Sequence, residues 1–514
     1  MVRYEPIIGL EVHVQLKTKS KMFCRCSSDI WTESPNTHTC PICLGLPGAL
    51  PFPNRDAIEK AVKVGLVLNC QPIDQSKFDR KNYFYPDLPK GFQISQYDLP
   101  FSQNGWVEIE TRDKRQETRK KILIIRAHLE EDTGKLIHTK VNGNPSTLID
   151  FNRSGIPLME IVSAPDLTSA QEAKNYAAKI QQIVRYLGVS DADMEKGSMR
   201  VEPNVSLKPA GSKKLPPYKV ELKNINSFRS VGQAIDFEIK RQTEILEKGE
   251  QPIQETRGWD EIKQKTYTQR IKEEAFDYRY FPEPDLPPVN LSKLLITTLK
   301  SQFPELPDFK KKRFIEKLGI SSADAEILTK DLNLSNFFEE AVAAFAQTRV
   351  RGTKAKPTTE DSQKIANWIK GEVLRNLNEL GKNISEVAIT PAGLAEIVYL
   401  VENGTLTAQS GKIVLAKWMQ EGVKPAKLIE TLKVGEITSR ELEKIIKKVI
   451  WQNQKAVKDF TSGKEAAFSF LVGQVQKEIG GKAQVTDIKD LLLANLKPSK
   501  NQLSKTFEPK TSLK

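Results

Sequence analysis

The stretch "IIGLEVHVQL", residues 7–16, decides how the first half of the chain is read. Ile8, Leu10, Val12, Val14 and Leu16 fall on one parity, and Gly9, Glu11, His13 and Gln15 on the other. Such alternation is the pattern of a β-strand with one buried face. The apolar parity reads as core. Glu11 and His13 stand two residues apart on the opposite face, where they are either solvated or turned towards a reaction site. Gln15 is left open.

Further stretches set charge among strand-like or turn-like residues. "IRAHLEEDTGK" (125–135) gathers His128, Glu130, Glu131 and Asp132 before a Gly turn. Parity does not decide between Glu130 and Glu131 there, because the alternation is expected to break at the turn. "DFNRSGIPLMEIVSAPD" (150–166) holds Asp150 and Arg153 and encloses Glu160 among apolar residues. "SKFDRKNYFYPDLPKGFQISQY" (76–97) offers Arg80, Lys81 and Lys90 among six aromatic residues, and "DYRYFPEPDLPP" (277–288) adds Arg279, Glu283 and Asp285. Carboxylates with nearby Lys and Arg are the apparatus of phosphoryl transfer, in which cations and a hard metal ion neutralise phosphoryl oxygens. A single Glu–Glu–Asp run is more often a solvated turn. No Walker-type loop, protein-kinase motif set or Rossmann fingerprint is present, so a bound ATP would need a site of another type. No amidase-like Ser/Gly-rich stretch or glutaminase-type Cys–His pair supplies an ammonia source.

Four of the five cysteines lie at Cys24, Cys26, Cys40 and Cys43, as "CRC" and "CPIC". Two close pairs joined by a short loop can wrap one zinc ion with four thiolates, a closed and therefore structural site. Free or redox-active thiols are the alternative. His38 lies between the pairs and could replace a ligand, while Cys70 reads as a buried small residue. Hydrophobic residues make up 39% of the 514 and charged ones 28%, an ordinary globular composition. No apolar run reaches membrane-spanning length and no secretory signal pattern opens the chain, so a cytoplasmic protein is expected. The net charge is +13. From Gly411 to Lys514 there are 20 Lys/Arg against 11 Asp/Glu, a surplus of nine. That surplus suggests a polyanion such as RNA, or simply a solvated lysine-rich helical surface.

Mixed strands and turns run to about "PEPDLPPVN" (282–290), after which the pattern is almost wholly helical. One earlier helix carries Ala173, Tyr176, Ile180, Ile183, Val184 and Leu187 at helical spacing, with a capping box at Thr168 and Gln171 and a stop at Gly188. "RVRGTKAKPTTEDSQK" (349–364) reads as an exposed loop between helices, and composition shifts again near "VENGTLTAQSGK" (401–412). A later helix has its box at Thr438 and Glu441, its staple at Ile437 and Leu442, and Leu442, Ile445, Ile446, Val449 and Ile450 as its stripe. Residues 497–514 read as disordered.

"GLEVHVQL", "KFDRKNYFYPDLPKGFQISQY", "HLEEDTGK", "DFNRSGIPLMEIVS", "ELKNINSF", "QETRGWDE" and "DYRYFPEPDLPP" closely resemble, in the expected order, the B-subunit family of aspartyl/glutamyl-tRNA amidotransferases. "IANWIKGEV" (365–373) and "FLVGQVQK" (470–477) resemble its helical and tail regions, so the likeness spans nearly the whole chain. The resemblance implies an α+β fold. An N-terminal cradle with an antiparallel sheet of the glutamine synthetase/guanidino kinase type would occupy residues 1–294. An all-α helical domain (295–405) and a tRNA-binding helical tail (406–514) would follow. It implies a ligase subunit that phosphorylates the tRNA-bound side-chain carboxylate of Glu-tRNA(Gln) or Asp-tRNA(Asn) with ATP and Mg²⁺. Ammonia from a partner amidase subunit then displaces phosphate, and a third, small subunit clamps the other two together.

By motif match the resemblance puts Glu11, His13, Glu131 and Glu160 around Mg²⁺ and the reacting carboxylate. Lys81 would contact phosphate or the transferring group, with Arg80 beside it in nucleotide binding. Asp132 and Glu130 stand behind these. Cys24, Cys26, Cys40 and Cys43 would hold Zn²⁺, a pattern found in part of the family. One departure is "MRVEPNVSL" (199–207), where relatives carry a motif like "RCDANVS"; the acid becomes Glu202 and Pro203 removes a backbone donor. The competing reading is a non-catalytic tRNA-binding adaptor of the same fold, which would have no need of the carboxylate and His positions. A stand-alone small-molecule ligase is disfavoured by the basic tail and the missing ammonia source.

Overall fold

The computed structural model describes residues 3–113, 116–271, 278–350, 355–432, 439–479, 483 and 485–496. The chain divides into two compact units, Met1–Pro307 and Asp308–Lys514.

The first unit is built on a nine-stranded sheet. In chain order its strands are β1 (Tyr4–Gln15), β2 (Gln71–Pro72), β3 (Ser102–Asp113), β4 (Gln116–Glu131), β5 (Pro157–Ser163), β6 (Met199–Pro209), β7 (Val220–Lys223), β8 (Glu255–Asp260) and β9 (Lys265–Ile271). They lie in the order β9-β8-β7-β6-β1-β5-β4-β3-β2. The opening strand is therefore central, paired antiparallel to β5 and β6. Every neighbouring pair is antiparallel except β7 and β8, which run parallel. The expected antiparallel sheet is corrected at that one pair. A helix, Phe228–Glu247, intervenes there and carries the chain back across the sheet, as a parallel connection requires.

Alternation along β1 is kept without a slip. Ile8, Leu10, Val12, Val14 and Leu16 are all buried and join one apolar cluster. Helices α1 (Arg55–Val67), α2 (Ala170–Tyr186), α3 (Phe228–Glu247) and α4 (Lys293–Ser301) add Val62, Tyr176, Ile180, Ile235 and Leu299 to it. One face of the sheet is thus covered, and the other carries the polar parity. The cap of α2 sits one residue later than its sequence suggests. The Ser169 hydroxyl accepts from the Glu172 backbone N–H, while the Glu172 carboxylate accepts from the Thr168 backbone N–H. Gly188, in the left-handed region at φ 63°, follows the helix as expected.

Pro203 lies in a strand flanked on both sides, a position where proline is rare. The ladder from β6 to β7 includes only Asn204 and Val205, so Pro203 falls just outside it. A small three-stranded sheet of Phe281–Pro282, Asp79–Asn82 and Phe92–Ser95 packs beside the end of β4.

The second unit is helical. One apolar cluster includes Phe314, Phe338, Phe345, Ile365, Val398 and Trp418. Another gathers Leu442, Ile446, Val449, Leu471, Val475, Ile488 and Leu492, with Ile445 and Ile450 packed against it. The stripe of the Ser439–Gln452 helix is therefore core, while Ile437 and Thr438, expected to staple and cap it, lie outside the described residues. Residues 351–354 and 497–514 also lie outside them. The second half of the expected 349–364 loop is instead helix, Thr359–Trp368, closed by a capping box between Thr358 and Asp361. Among the described residues no helix is long and apolar enough to cross a membrane.

Candidate functional site

Strand register explains why distant motifs converge. His13 on β1 stands opposite Glu160 on β5, which stands opposite His128 on β4. Three adjacent strands thus set three polar side chains in a row on the face opposite the helices, where Glu160 and His128 are buried. His13 Nε2 lies 3.4 Å from Glu160 Oε2 and 4.0 Å from Glu130 Oε1. His128 Nε2 lies 3.4 Å from Glu160 Oε2 and 3.7 Å from Glu130 Oε2. His13, Glu130 and Glu160 can bring one ligand atom each within 4.8 Å of one another. Two carboxylates and an imidazole fit a divalent cation: the carboxylates suit magnesium, and imidazole is a donor shared with softer first-row ions. Among the described residues His13 Nδ1 is buried without a hydrogen-bond partner, the kind of polar atom a native structure leaves unpaired at a functional site.

Burial works against charge on these groups, and their neighbours reverse it. The hydrogen bond to Glu160 and the charges of Glu160, Glu202 and Glu130 outweigh desolvation and lift His13 to about 9. Desolvation also opposes ionisation of Glu160, but His128 and His13 hold its carboxyl well below the usual range. Glu130 is lowered in the same way: burial is the largest single influence, and the hydrogen bond from His128 with the charges of Lys81 and His128 together outweigh it.

Lys81 lies on the middle strand of the small sheet, its ammonium 5.1 Å from the Tyr278 ring and 5.9 Å from the Tyr83 ring. Burial disfavours its charge, yet Glu130, Tyr280 and Glu160 more than compensate and drive its pKa up. Alternation sends its neighbour Arg80 elsewhere. The Arg80 guanidinium forms a two-pronged pair with Glu283 at 2.7 and 2.8 Å and reaches Asp285 at 3.3 Å. Arg80 therefore ties the middle strand of the small sheet to the segment that follows Phe281–Pro282.

Glu11 is two residues from His13 but belongs to a second group with Glu202 and Glu221. Its carboxylate accepts from Asn204 Nδ2 at 3.0 Å. Lys223 Nζ bridges Glu202 at 2.9 Å and Glu221 at 3.1 Å. Burial first, then the charges of Glu160, Glu202 and Glu221, raise the Glu11 carboxyl. Glu202, the acid of the departing motif, thus sits directly opposite Glu11 in register. A cavity of about 310 Å³ opens beside it, walled by Gly9, Glu11, Ile125, Val162, Asn204 and Tyr218 among others. That is large enough to hold a flat ring and a sugar.

Glu131 is not brought into the His13 group. β4 keeps its alternation to its last residue, so Glu130 shares the face of His128 and Glu131 faces the other way. There Glu131 pairs with Lys90 and accepts from the Ile94 backbone N–H at 3.0 Å. Asp132 forms two hydrogen bonds with Arg200 at 3.0 and 3.1 Å, and Gln15, the undecided residue, donates to it at 2.7 Å. Glu221 and Lys223 were hidden in "ELKNINSF"; only the register of β7 reveals them.

Cys24, Cys26, Cys40 and Cys43 meet, each able to place its sulfur within 4.8 Å of the other three. A tetrahedron with zinc–sulfur bonds of about 2.3 Å has edges of about 3.8 Å, and the Cys40 and Cys43 sulfurs are 3.8 Å apart. The set fits zinc. The hydrogen bond from Cys24, aided by the Lys21 charge, outweighs burial and brings the Cys43 thiol down to about 5. Cys70 is buried apart from them, as expected, and the His38 ring faces Glu33 at 3.5 Å.

A carboxylate-lined sheet face in a mixed α/β unit, followed by a helical region, defines a class. Residues 6–297 match the family described as the GatB/GatE catalytic domain, and residues 353–496 match the GatB domain. The chain is 46% identical over 497 residues to the B subunit of the aspartyl/glutamyl-tRNA(Asn/Gln) amidotransferase of Carboxydothermus hydrogenoformans, covering 96% of this chain and 98% of that one. It is 47% identical to the protein of the same name from Thermoanaerobacter pseudethanolicus (94% and 97% covered) and to that from Gloeothece citriformis (93% and 95%). The chain belongs to the family of aspartyl/glutamyl-tRNA(Asn/Gln) amidotransferase B subunits.

Proposed function

We propose that this chain is the ligase subunit that activates and amidates the side-chain carboxylate of Glu-tRNA(Gln) or Asp-tRNA(Asn). The observation that carries the site assignment is the grouping of His13, Glu130 and Glu160 on one sheet face, with half-buried Lys81 electrostatically coupled to Glu130 and Glu160. A carboxylate is a poor electrophile until one oxygen becomes a leaving group. Its oxygen attacks the γ-phosphorus of ATP, the bond to the β–γ bridging oxygen breaks, and ADP departs. Ammonia then attacks the acyl carbon, phosphate leaves, and the nitrogen gives up a proton to yield the amide.

His13, Glu130 and Glu160 would hold Mg²⁺, with Glu11 two residues along the strand. A bound divalent ion supplies neutralisation of the phosphoryl oxygens. Lys81 remains a cation at working pH and is suited to hold the transferring phosphoryl group. His128 touches both Glu130 and Glu160 and keeps their oxygens in place. The cavity beside Glu11 offers room for the nucleoside end of ATP. Four cysteines would carry structural Zn²⁺. The cradle likeness to glutamine synthetase and guanidino kinases agrees with carboxylate phosphorylation without a P-loop. The basic surplus of the tail agrees with a grip on tRNA in the cytoplasm, and the amidase subunit with the small clamping subunit would complete the enzyme.

Reconstitution with the amidase and small subunits tests the reading. ATP hydrolysis should appear only with Glu-tRNA(Gln) or Asp-tRNA(Asn), and amide should form in step with it. Hydrolysis indifferent to the charged tRNA would overturn the proposal. Binding of tRNA without any hydrolysis would leave the adaptor reading in its place.

A further inference from the structure

Lys21 is fully buried, with no exposed surface. Its ammonium donates to the carbonyl oxygens of His38 at 2.7 Å and Phe151 at 3.3 Å, and lies 3.7 Å from Cys43 Sγ. Among the described residues no carboxylate comes within ion-pair distance of it. A buried ammonium without a counter-charge is costly, and two carbonyl dipoles do not supply one. The four cysteines do: zinc with four thiolates carries a surplus negative charge. The metal-loaded knuckle is what makes a buried lysine tenable at this point.

The knuckle also touches the reaction unit. Gly45, two residues beyond Cys43, has φ 68°, and a Cβ there would stand 2.4 Å from Lys90 Cγ. The Lys90 stem therefore lies flat across the knuckle backbone, and its ammonium passes 5.9 Å from the ring of Phe23, the residue before Cys24. That ammonium pairs with Glu131, which follows Glu130 in the strand. Gly155 marks the junction: a Cβ on it would contact Lys21 Cδ at 3.4 Å, Cys43 Cβ at 3.5 Å and Glu131 Oε2 at 3.8 Å.

We infer that Lys21 is the buried counter-ion of the four-thiolate site, and that Lys90, laid over Gly45, couples the metal-loaded knuckle to Glu131 and so to the end of β4. Lys21 and Lys90 are positioning residues. The inference rests on the zinc reading above. It adds that losing the ion loosens the strand end that carries Glu130.

The full chain is first assayed for zinc by elemental analysis. Release to a chromogenic chelator is then timed for the wild type, Lys21→Met and Lys21→Arg. Partners of this kind are worth roughly 10–100-fold in metal affinity, so Lys21→Met should release zinc at least about tenfold faster and Lys21→Arg should restore much of the loss. Hydrogen exchange of peptides spanning residues 90–96, which include the Ile94 amide bonded to Glu131, is followed in the wild type before and after zinc removal. Exchange should quicken on removal. Gly45→Ala should quicken it with zinc content unchanged. A wild-type chain without stoichiometric metal overturns the zinc reading and this inference together. A zinc-loaded chain overturns this inference alone if Lys21→Met releases the ion at the wild-type rate, or if exchange at 90–96 ignores zinc removal.

Discussion

Two groups of buried charge occupy the same sheet, and they are composed differently. Where α3 meets the sheet edge, Glu238 and Glu255 face Arg241 and Arg257. Arg241 contacts Glu238 at 2.6 Å, Arg257 contacts Glu255 at 2.8 Å, and Thr266 and Gln242 take the remaining Glu238 bonds. Each carboxylate has a guanidinium. On the face opposite the helices Glu11, Glu130, Glu160, Glu202 and Glu221 stand with Lys81, Lys223 and two imidazoles, while the Arg126 guanidinium is turned to His128 and that of Arg200 to Asp132. The first group is closed by guanidiniums, whereas among the described residues Glu130 and Glu160 have only the imidazoles of His13 and His128 within ion-pair distance. Carboxylates held only by imidazoles leave oxygens free for an added cation, whereas a closed network offers a ligand nothing.

The largest expected difference follows from that contrast. Glu160→Gln should lower amide formation by about 10³-fold, in the range seen when one preorganised charged group is removed from a reaction centre. Its urea midpoint should fall as well, because His13 and His128 lose the carboxylate that supports their charge, so activity is compared per folded molecule. A variant that unfolds yet keeps its specific activity would reverse the assignment of the two groups. Next comes Glu238→Ala, which leaves Arg241 and Arg257 without their buried partner and should cost about 3 kcal/mol of stability. Per folded molecule its amide formation should match the wild type; urea unfolding with a parallel activity assay decides.

A smaller effect concerns Asp132, which lies between these extremes. Burial opposes its charge, but Arg200 and Arg153 hold its carboxyl down from 3.8 to about 2. A folded-state pKa below the unfolded one contributes stability that is full above pH 4 and fades as pH falls towards 2. Asp132→Asn should therefore cost about 2 kcal/mol at pH 7 and progressively less below pH 4. A deficit that does not shrink in acid would mean that Asp132 acts through packing alone.

Much of this was legible in the residues. Alternation along "IIGLEVHVQL" gives the strand, its buried face and the shared side of Glu11 and His13. Four cysteines in two close pairs suffice to bring their sulfurs together. What could not be read is cross-strand register, since nothing in one strand says which residue of another stands opposite. The row His13–Glu160–His128 and the opposition of Glu11 and Glu202 are register facts. The parallel pair β7 and β8 was hidden for a related reason: the direction of a four-residue strand depends on where α3 delivers the chain. The cap of α2 slipped by one residue because Thr168 and Ser169 both offer a hydroxyl, and only the backbone turn chooses between them.

Glu130 and Glu131 restate the comparison within one strand. The expectation of a break near Gly134 left their directions undecided, yet β4 remains extended through Glu131, and one step of the pleat separates their environments. Glu130 faces two imidazoles and the half-buried Lys81. Glu131 faces Lys90 and the Ile94 amide, a partnered arrangement like the closed network at α3. Glu130→Gln should therefore resemble Glu160→Gln, whereas Glu131→Gln should lower amide formation by only about tenfold, about 1.4 kcal/mol in barrier, because its effect arrives through the position of the strand end. The distinguishing measurement is the Mg²⁺ concentration for half-maximal amide formation. It should rise sharply for Glu130→Gln and stay near wild type for Glu131→Gln. Equal rises would place Glu131 at the metal and require the end of β4 to turn over when the substrate binds.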